Sequence, residues 1–149
     1  KGLEIDIAEA GVKMDLDEYL DLTFVSPNGN FDDLNNSSAV LRLIYKDTSF
    51  LFTGDMETKA EKLVDANVDV DVLKVGHHGS DTSSSKEFLD RVSPQIAVIS
   101  VGKDNKYNHP SSEVIKRLNN IGAKILRTDE SGNITITSDG VNLDIKTER

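Results

Sequence analysis

The sequence predicts a mixed α/β layered fold in which helices cover sheets. Three observations carry that expectation. Strand-like and helix-like stretches follow one another closely, three short apolar runs each give way to a polar loop, and 149 residues suit one compact domain or a piece of a larger one.

Leu3, Ile5 and Ile7 alternate with polar residues, as do Leu20, Leu22 and Phe24 before Ser26-Pro27-Asn28-Gly29. This reads as two short strands, the second entering a turn. After a polar loop over residues 31–38, residues 39–45 and 49–53 form a hairpin that ends at Gly54-Asp55. Ala60, Leu63 and Val64 mark one face of a helix over residues 57–66. Residues 70–75 are a short apolar strand running into Gly76-His77-His78-Gly79. Ser84 and Glu87 have the spacing of a capping box, and Phe88, Leu89 and Val92 give the following helix its apolar face. Residues 95–101 read as a buried strand and residues 102–109 as a polar loop. Pro110 suits a first helical position, Val114, Ile115, Leu118 and Ile121 recur at helical spacing, and Gly122 stops that helix. Three short strands, over residues 124–128, 133–137 and 141–145, close the chain as a meander.

Lys and Arg number 17 against 26 Asp and Glu, a net charge of −9. That balance argues against a surface that tracks phosphates along its whole length. It leaves open a nucleic acid held locally by a metal. The chain has no cysteine, which removes thiolate zinc sites, iron–sulfur clusters, cysteine nucleophiles and disulfides. It contains no apolar run of membrane-spanning length and no secretory leader pattern. The first residue is lysine rather than methionine, which suggests processing or an excised fragment.

Three clusters have the residue types that chemistry needs, each after an apolar run. Asp55 follows Gly54 at a strand end, where a carboxylate can bridge two cations. The bland alternative is a helix N-cap. His77 and His78 sit between glycines that let backbone approach an ion or substrate closely. On extended backbone the two would point oppositely, one to an ion and one to substrate. The alternative is a pair of surface histidines in a turn. Asn105, Tyr107 and His109 supply amide, phenol and imidazole groups to orient an oxyanion or donate a proton. Here His109 as a helix cap and Tyr107 as a surface ring compete with that role. The serines from Ser80 to Ser85 lack a G-x-S-x-G elbow, and no phosphate-cradling or dinucleotide glycine pattern is present.

Taken together, Asn35-Asn36-Ser37-Ser38, Phe52-Thr53-Gly54-Asp55, Leu73-Lys74-Val75-Gly76-His77-His78-Gly79-Ser80, Ser100-Val101-Gly102, the stretch from Asn105 to Pro110, and Arg127-Thr128-Asp129 with Ser131-Gly132 form a specific combination. It resembles the metallo-β-lactamase-like hydrolase domain of the competence proteins that carry DNA across bacterial membranes, the ComEC/Rec2 family. The match covers the chain from about residue 20 onward. It implies an α/β fold that is part of an αββα sandwich, a mixed sheet with covering helices, with a metal site between two sheets.

By that resemblance Asp55 and His77 are metal ligands, His78 and His109 are catalytic, and Asn105, Tyr107 and Ser80 contact substrate. Two divalent ions (Zn, Mn or Mg) would activate a hydroxide for phosphodiester hydrolysis, with single-stranded DNA as substrate in bacterial DNA uptake. The site would lie on the extracytoplasmic face of the cell membrane, within a larger membrane protein. The superfamily's first metal motif, H-x-H-x-D-H, does not occur in this sequence. Residues 1–149 are therefore expected to be the C-terminal part of the domain, binding metal weakly or not at all and inactive alone. Its partners would be the missing N-terminal half or a second copy of itself. A secreted phosphodiesterase or phosphocholine esterase of the same fold, and a degenerate non-enzymatic scaffold, are the competing readings.

Overall fold

The computed structural model describes residue 2, residues 7–64 and residues 67–149. Of the first expected strand, Leu3 and Ile5 lie outside the described residues. Ile7 is described, is not in a strand, and is exposed.

A seven-stranded sheet runs in sequence order: β1 (Lys13–Met14), β2 (Leu20–Ser26), β3 (Val40–Tyr45), β4 (Thr48–Phe52), β5 (Val72–Lys74), β6 (Ile96–Ile99) and β7 (Lys124–Arg127). β1 to β4 pair antiparallel and β4 to β7 pair parallel. The change of direction follows from the connections. Lys46 and Asp47 alone join β3 to β4, with Lys46 at φ 53°, whereas parallel neighbours need crossovers. Those crossovers carry the helices α1 (Thr58–Glu61), α2 (Lys86–Val92) and α3 (Ser112–Asn120).

The parallel strands are apolar on both faces, as a sheet covered on two sides requires. Leu51, Leu73 and Ala97 are in register across β4, β5 and β6 and are fully buried. They share one core with Phe88, Leu89 and Val92 of α2 and Val114 and Leu118 of α3. Burying each such leucine contributes about 1.5–3 kcal/mol. On the opposite face Val72, Ile96 and Leu126 pack with Phe50, Val98, Ile134, Ile136, Leu143 and Ile145. The last four belong to β8 (Ile134–Ser138) and β9 (Leu143–Thr147), a separate antiparallel ribbon.

Several elements differ from those the sequence predicts. The closing strands are not one meander: β7 joins the main sheet beside β6, and one helical turn, α4 (Thr128–Ser131), separates it from the ribbon. Helix α1 stops at Glu61 instead of reaching residue 66. The carbonyls beyond it are taken from outside, Leu63 by Asn28 Nδ2 at 2.7 Å and Val64 by the Arg91 guanidinium. Ser85, not Ser84, caps α2 by accepting from the Phe88 amide at 3.3 Å. Helix α3 begins at Ser112 because Ser111 Oγ accepts from the Val114 amide at 3.2 Å, so Pro110 lies outside it. Gly122, at φ 77°, does end α3. No described helix is long and apolar enough to cross a membrane.

Candidate functional site

Because β4, β5 and β6 run parallel, the loops after them emerge at one edge of the sheet, where ligand sites of α/β folds gather. Hydrogen bonds from backbone and hydroxyl groups hold the loops together. The His77 amide donates to Gly54 O at 3.1 Å, and Thr53 Oγ1 donates to Lys74 O at 2.6 Å. Ser38 Oγ accepts from the Asp55 amide at 3.1 Å, which fixes the carboxylate's stem. Thr128 Oγ1 pins the start of the third loop, accepting from the Val101 amide and donating to Val101 O, both at 2.8 Å.

The histidine doublet is not on extended backbone. Residues Gly76–Gly79 form a tight turn in which His77, at φ 45°, and His78, at φ 53°, both lie in the left-handed region. Two successive non-glycine residues in the left-handed region cost roughly 1–2 kcal/mol each, strain of the kind stored at functional sites. The flanking glycines are required by contact. A Cβ at Gly76 would sit 2.9 Å from Met56 O, and one at Gly79 would sit 2.6 Å from Pro110 Cβ. The two rings are therefore not aimed to opposite sides, and their centroids are 6.5 Å apart.

His78 Nδ1 meets Ser100 O at 2.7 Å, and its Nε2 lies 3.6 Å from Asp55 Oδ1. His77 Nδ1 meets Glu57 Oε1 at 3.0 Å, and its ring packs edge-on against His109 at 5.8 Å between centroids. Tyr107 stacks on His109 at 5.7 Å. Asp55, expected to share an ion with His77, thus makes its imidazole contact with His78. Burial holds the His109 imidazole below its ordinary pKa, helped by His77 and His78 and opposed by Asp81. Lys74 is likewise lowered by burial, against the pull of the Asp55 carboxylate.

A cleft of about 360 Å³ opens here, lined by His78, Ser100, Gly102, Asn105, Tyr107 and His109. Asn105 borders it, but its amide is committed to the loop. Nδ2 donates to Gly102 O at 3.0 Å and His109 O at 2.7 Å, and Oδ1 accepts from the Tyr107 and His109 amides. Ser80 is buried with its hydroxyl against Thr82 Oγ1 at 2.9 Å, and it is absent from the cleft lining. Of the expected substrate contacts, only Tyr107 presents an exposed ring. A larger cavity of about 720 Å³ beside β2 shares no lining residue with this cleft, and Glu9 is its one ionisable lining residue among the described residues.

Sequence reasoning missed Glu57, which it counted as a helix residue. Its Oε1 receives Asn35 Nδ2, His77 Nδ1 and Thr82 Oγ1 from three separate loops. Its place two residues after Asp55 was the one available signal.

The donor types suit a hard or borderline divalent ion: one carboxylate and three imidazoles. Among the described residues, however, no three His, Asp or Glu side chains converge to hold one. This set alone does not build a closed coordination shell.

The family description "Metallo-beta-lactamase superfamily" matches residues 4–103. The chain is 44% identical over 103 residues to ComE operon protein 3 of Bacillus subtilis, covering 67% of this chain and 13% of that protein. It is 44% identical over 119 residues to competence protein ComA of Neisseria gonorrhoeae (76% and 17%). It is 35% identical over 116 residues to recombination protein 2 of Haemophilus influenzae (77% and 15%). The chain thus spans less than a fifth of the length of these curated relatives. With the mixed sheet, its covering helices and a carboxylate–imidazole cluster at the strand ends, this match shows that the chain belongs to the metallo-β-lactamase superfamily.

Proposed function

We propose that this chain supplies part of the active site of a metal-dependent phosphodiesterase that cuts DNA during bacterial DNA uptake. One observation carries the reading: at the ends of three strands Asp55 lies beside His78 and His77 packs against His109, and His78 and His109 line one cleft. The superfamily match and the names of the relatives, which speak of competence and recombination, support it.

Two divalent ions, when bound, would lower the pKa of a coordinated water and neutralise phosphate charge. Asp55 and His77 would contribute ligands, and residues outside this chain would complete the shell. His78 donates Nδ1–H to Ser100 O, so its Nε2 would donate to a developing oxyanion from the imidazolium form, in which both ring nitrogens carry a proton. His109, whose pKa is lowered by burial, would in its imidazolium form be the more ready donor and hand its proton to the leaving oxygen. Lys106 Nζ lies 4.9 Å from the Tyr107 ring centroid. Together they offer a cation for a phosphate and a face for a base in an otherwise acidic chain.

The apolar sheet face also suits this reading. A groove of about 390 Å³ runs beside Phe50, Phe52, Val72, Val98, Ile134 and Ile136, with Phe52 42% exposed. The N-terminal half of the domain would cover it. The assembly would belong to a larger membrane protein with this site on its extracytoplasmic face.

The test is metal analysis and a nuclease assay on single-stranded DNA, comparing the full-length parent with its Asp55→Ala variant. Activity should be lost in the variant and absent from the isolated chain. An unchanged rate removes Asp55 from the mechanism, and turnover of a choline phosphoester in place of DNA redirects the substrate. A parent with neither metal nor activity leaves a scaffold.

A further inference from the structure

We propose that Glu57 is the positioning residue that fixes which nitrogen of His77 carries the proton. A carboxylate oxygen has lone pairs and no proton to give, so a ring nitrogen 3.0 Å from Glu57 Oε1 bonds to it only as an N–H. In the neutral ring His77 is therefore the Nδ1–H tautomer, and Nε2 keeps its lone pair.

The carboxylate is itself held. Thr82 Oγ1 donates to the same oxygen at 2.8 Å and Asn35 Nδ2 donates at 3.3 Å. Asn35 precedes β3, Glu57 follows β4, and Thr82 follows the histidine turn, so three loops are tied at one atom. The backbone contributes as well. The Thr58 amide and Thr58 Oγ1 both donate to Thr82 O, at 3.0 and 2.8 Å, which locks the residue after Glu57 to the Thr82 loop.

Glu57 and the His77 side chain are each about three-quarters buried, so water competes weakly for the bond. An imidazole whose other nitrogen is held by a carboxylate is fixed in ring orientation and made a better electron-pair donor. Glu57 is thus the group that turns His77 from a loop histidine into an oriented ligand. That use of Nε2 rests on the hydrolase reading above. The tautomer does not.

The experiment is long-range ¹H–¹⁵N correlation of the His77 ring in the 149-residue chain, at alkaline pH where the imidazoles are neutral. Wild type should show Nδ1 protonated and Nε2 bare. In Glu57→Ala the Nδ1–H pattern should be lost, the ring reverting to the Nε2–H form or a mixture. Glu57→Gln, whose amide oxygen can still accept from Nδ1, should restore the wild-type pattern with the backbone spectrum intact. A wild-type ring protonated at Nε2 overturns the proposal whether or not any variant folds. So does an unchanged Nδ1–H in folded Glu57→Ala, or its loss in folded Glu57→Gln. A parent protein without hydrolytic activity would defeat the hydrolase reading and leave this measurement unaffected.

Discussion

Asp55 Oδ1 lies 3.6 Å from His78 Nε2, although one residue follows β4 and the other follows β5. Parallel pairing of those strands, in register from Phe50 with Val72 to Phe52 with Lys74, brings the two loops to the same edge. His78 is then held from its far side by Ser100 O, at the end of β6. One imidazole therefore reads the relative position of three strands, and small shifts among them change the site directly.

His78→Asn should separate chemistry from fold. Asparagine tolerates the left-handed backbone at φ 53° better than other side chains, and His78 is half exposed. Stability in urea should stay within about 0.5 kcal/mol of wild type. Phosphodiester hydrolysis by the full-length parent should fall about 10²–10⁴-fold, the usual contribution of a positioned proton donor. A rate within a factor of three of wild type would take His78 out of the reaction.

Gly79→Ala should be far more costly than its single methyl suggests. The residue has φ 82°, and its new Cβ would meet Pro110 Cβ at 2.6 Å and Cα at 3.1 Å. The left-handed backbone alone costs roughly 1–2 kcal/mol, and the clash pushes directly on the neighbour of His109. The Ser111 amide bond to Gly79 O, 2.9 Å, would stretch with it. Urea unfolding should show at least that loss, with the Tyr107–His109 ring contact disturbed in the spectrum of the folded variant. Wild-type stability would mean that the two loops do not touch at this point.

Much of the frame was legible because it rests on local patterns. The hairpin of β3 and β4, the apolar strands β5 and β6, and α3 with its Gly122 stop follow from alternation, apolar runs and punctuation by glycine. Asp55, His77, His78 and His109 were legible as candidates because each sits in a polar loop after such a strand. The turn geometry was not. Whether Gly76–Gly79 is extended or a tight left-handed turn depends on Met56 O and Pro110, which are distant in sequence. Glu57 was misread, and the bonds of Asn105 within its own loop went unseen, for the same reason. Their partners are assembled by the fold, and a side chain's type does not reveal whether it faces substrate or its own loop. The ribbon of β8 and β9 left the main sheet because α4 redirects the chain, a turn of four residues with little periodic signal.

Asn105→Asp tests how far Asn105 holds its own loop. The carboxylate keeps acceptors for the Tyr107 and His109 amides but loses both donors to Gly102 O and His109 O. It also places negative charge beside two carbonyls. Residues 102–109 should loosen while the sheet stays intact, and amide exchange at Tyr107 and His109 should accelerate about 10-fold or more, equivalent to roughly 1.4 kcal/mol or more of lost local protection. Unchanged exchange with weakened substrate binding would return Asn105 to the substrate-contact role first expected of it.

Glu61 gives the chain a pH signature independent of the site. It is buried, and its carboxylate accepts from the Ser84 amide at 2.5 Å and the Ser85 amide at 3.0 Å. Arg117 grips the same segment from its carbonyls, donating to Ser83 O and Ser84 O. Burial raises the Glu61 pKa, opposed by its bonds to Ser85 and Ser84 and by Arg117. Between the ordinary glutamate value and this raised one, the folded state holds more protons than the unfolded state. Stability contributed by Glu61 therefore falls as pH rises through that window and recovers as pH drops. Asp139 acts oppositely and lower down: bonds from the Asn142 and Val141 amides hold it at about 2, so its contribution is lost only in stronger acid. The curve for wild type minus Glu61→Gln, from urea unfolding at successive pH values, isolates the glutamate and should slope downward with rising pH. Glu61→Ala should lose about 2–6 kcal/mol at neutral pH, since two buried amides go unpaired at about 1–3 kcal/mol each. A flat difference curve would mean that water reaches Glu61 in the folded chain.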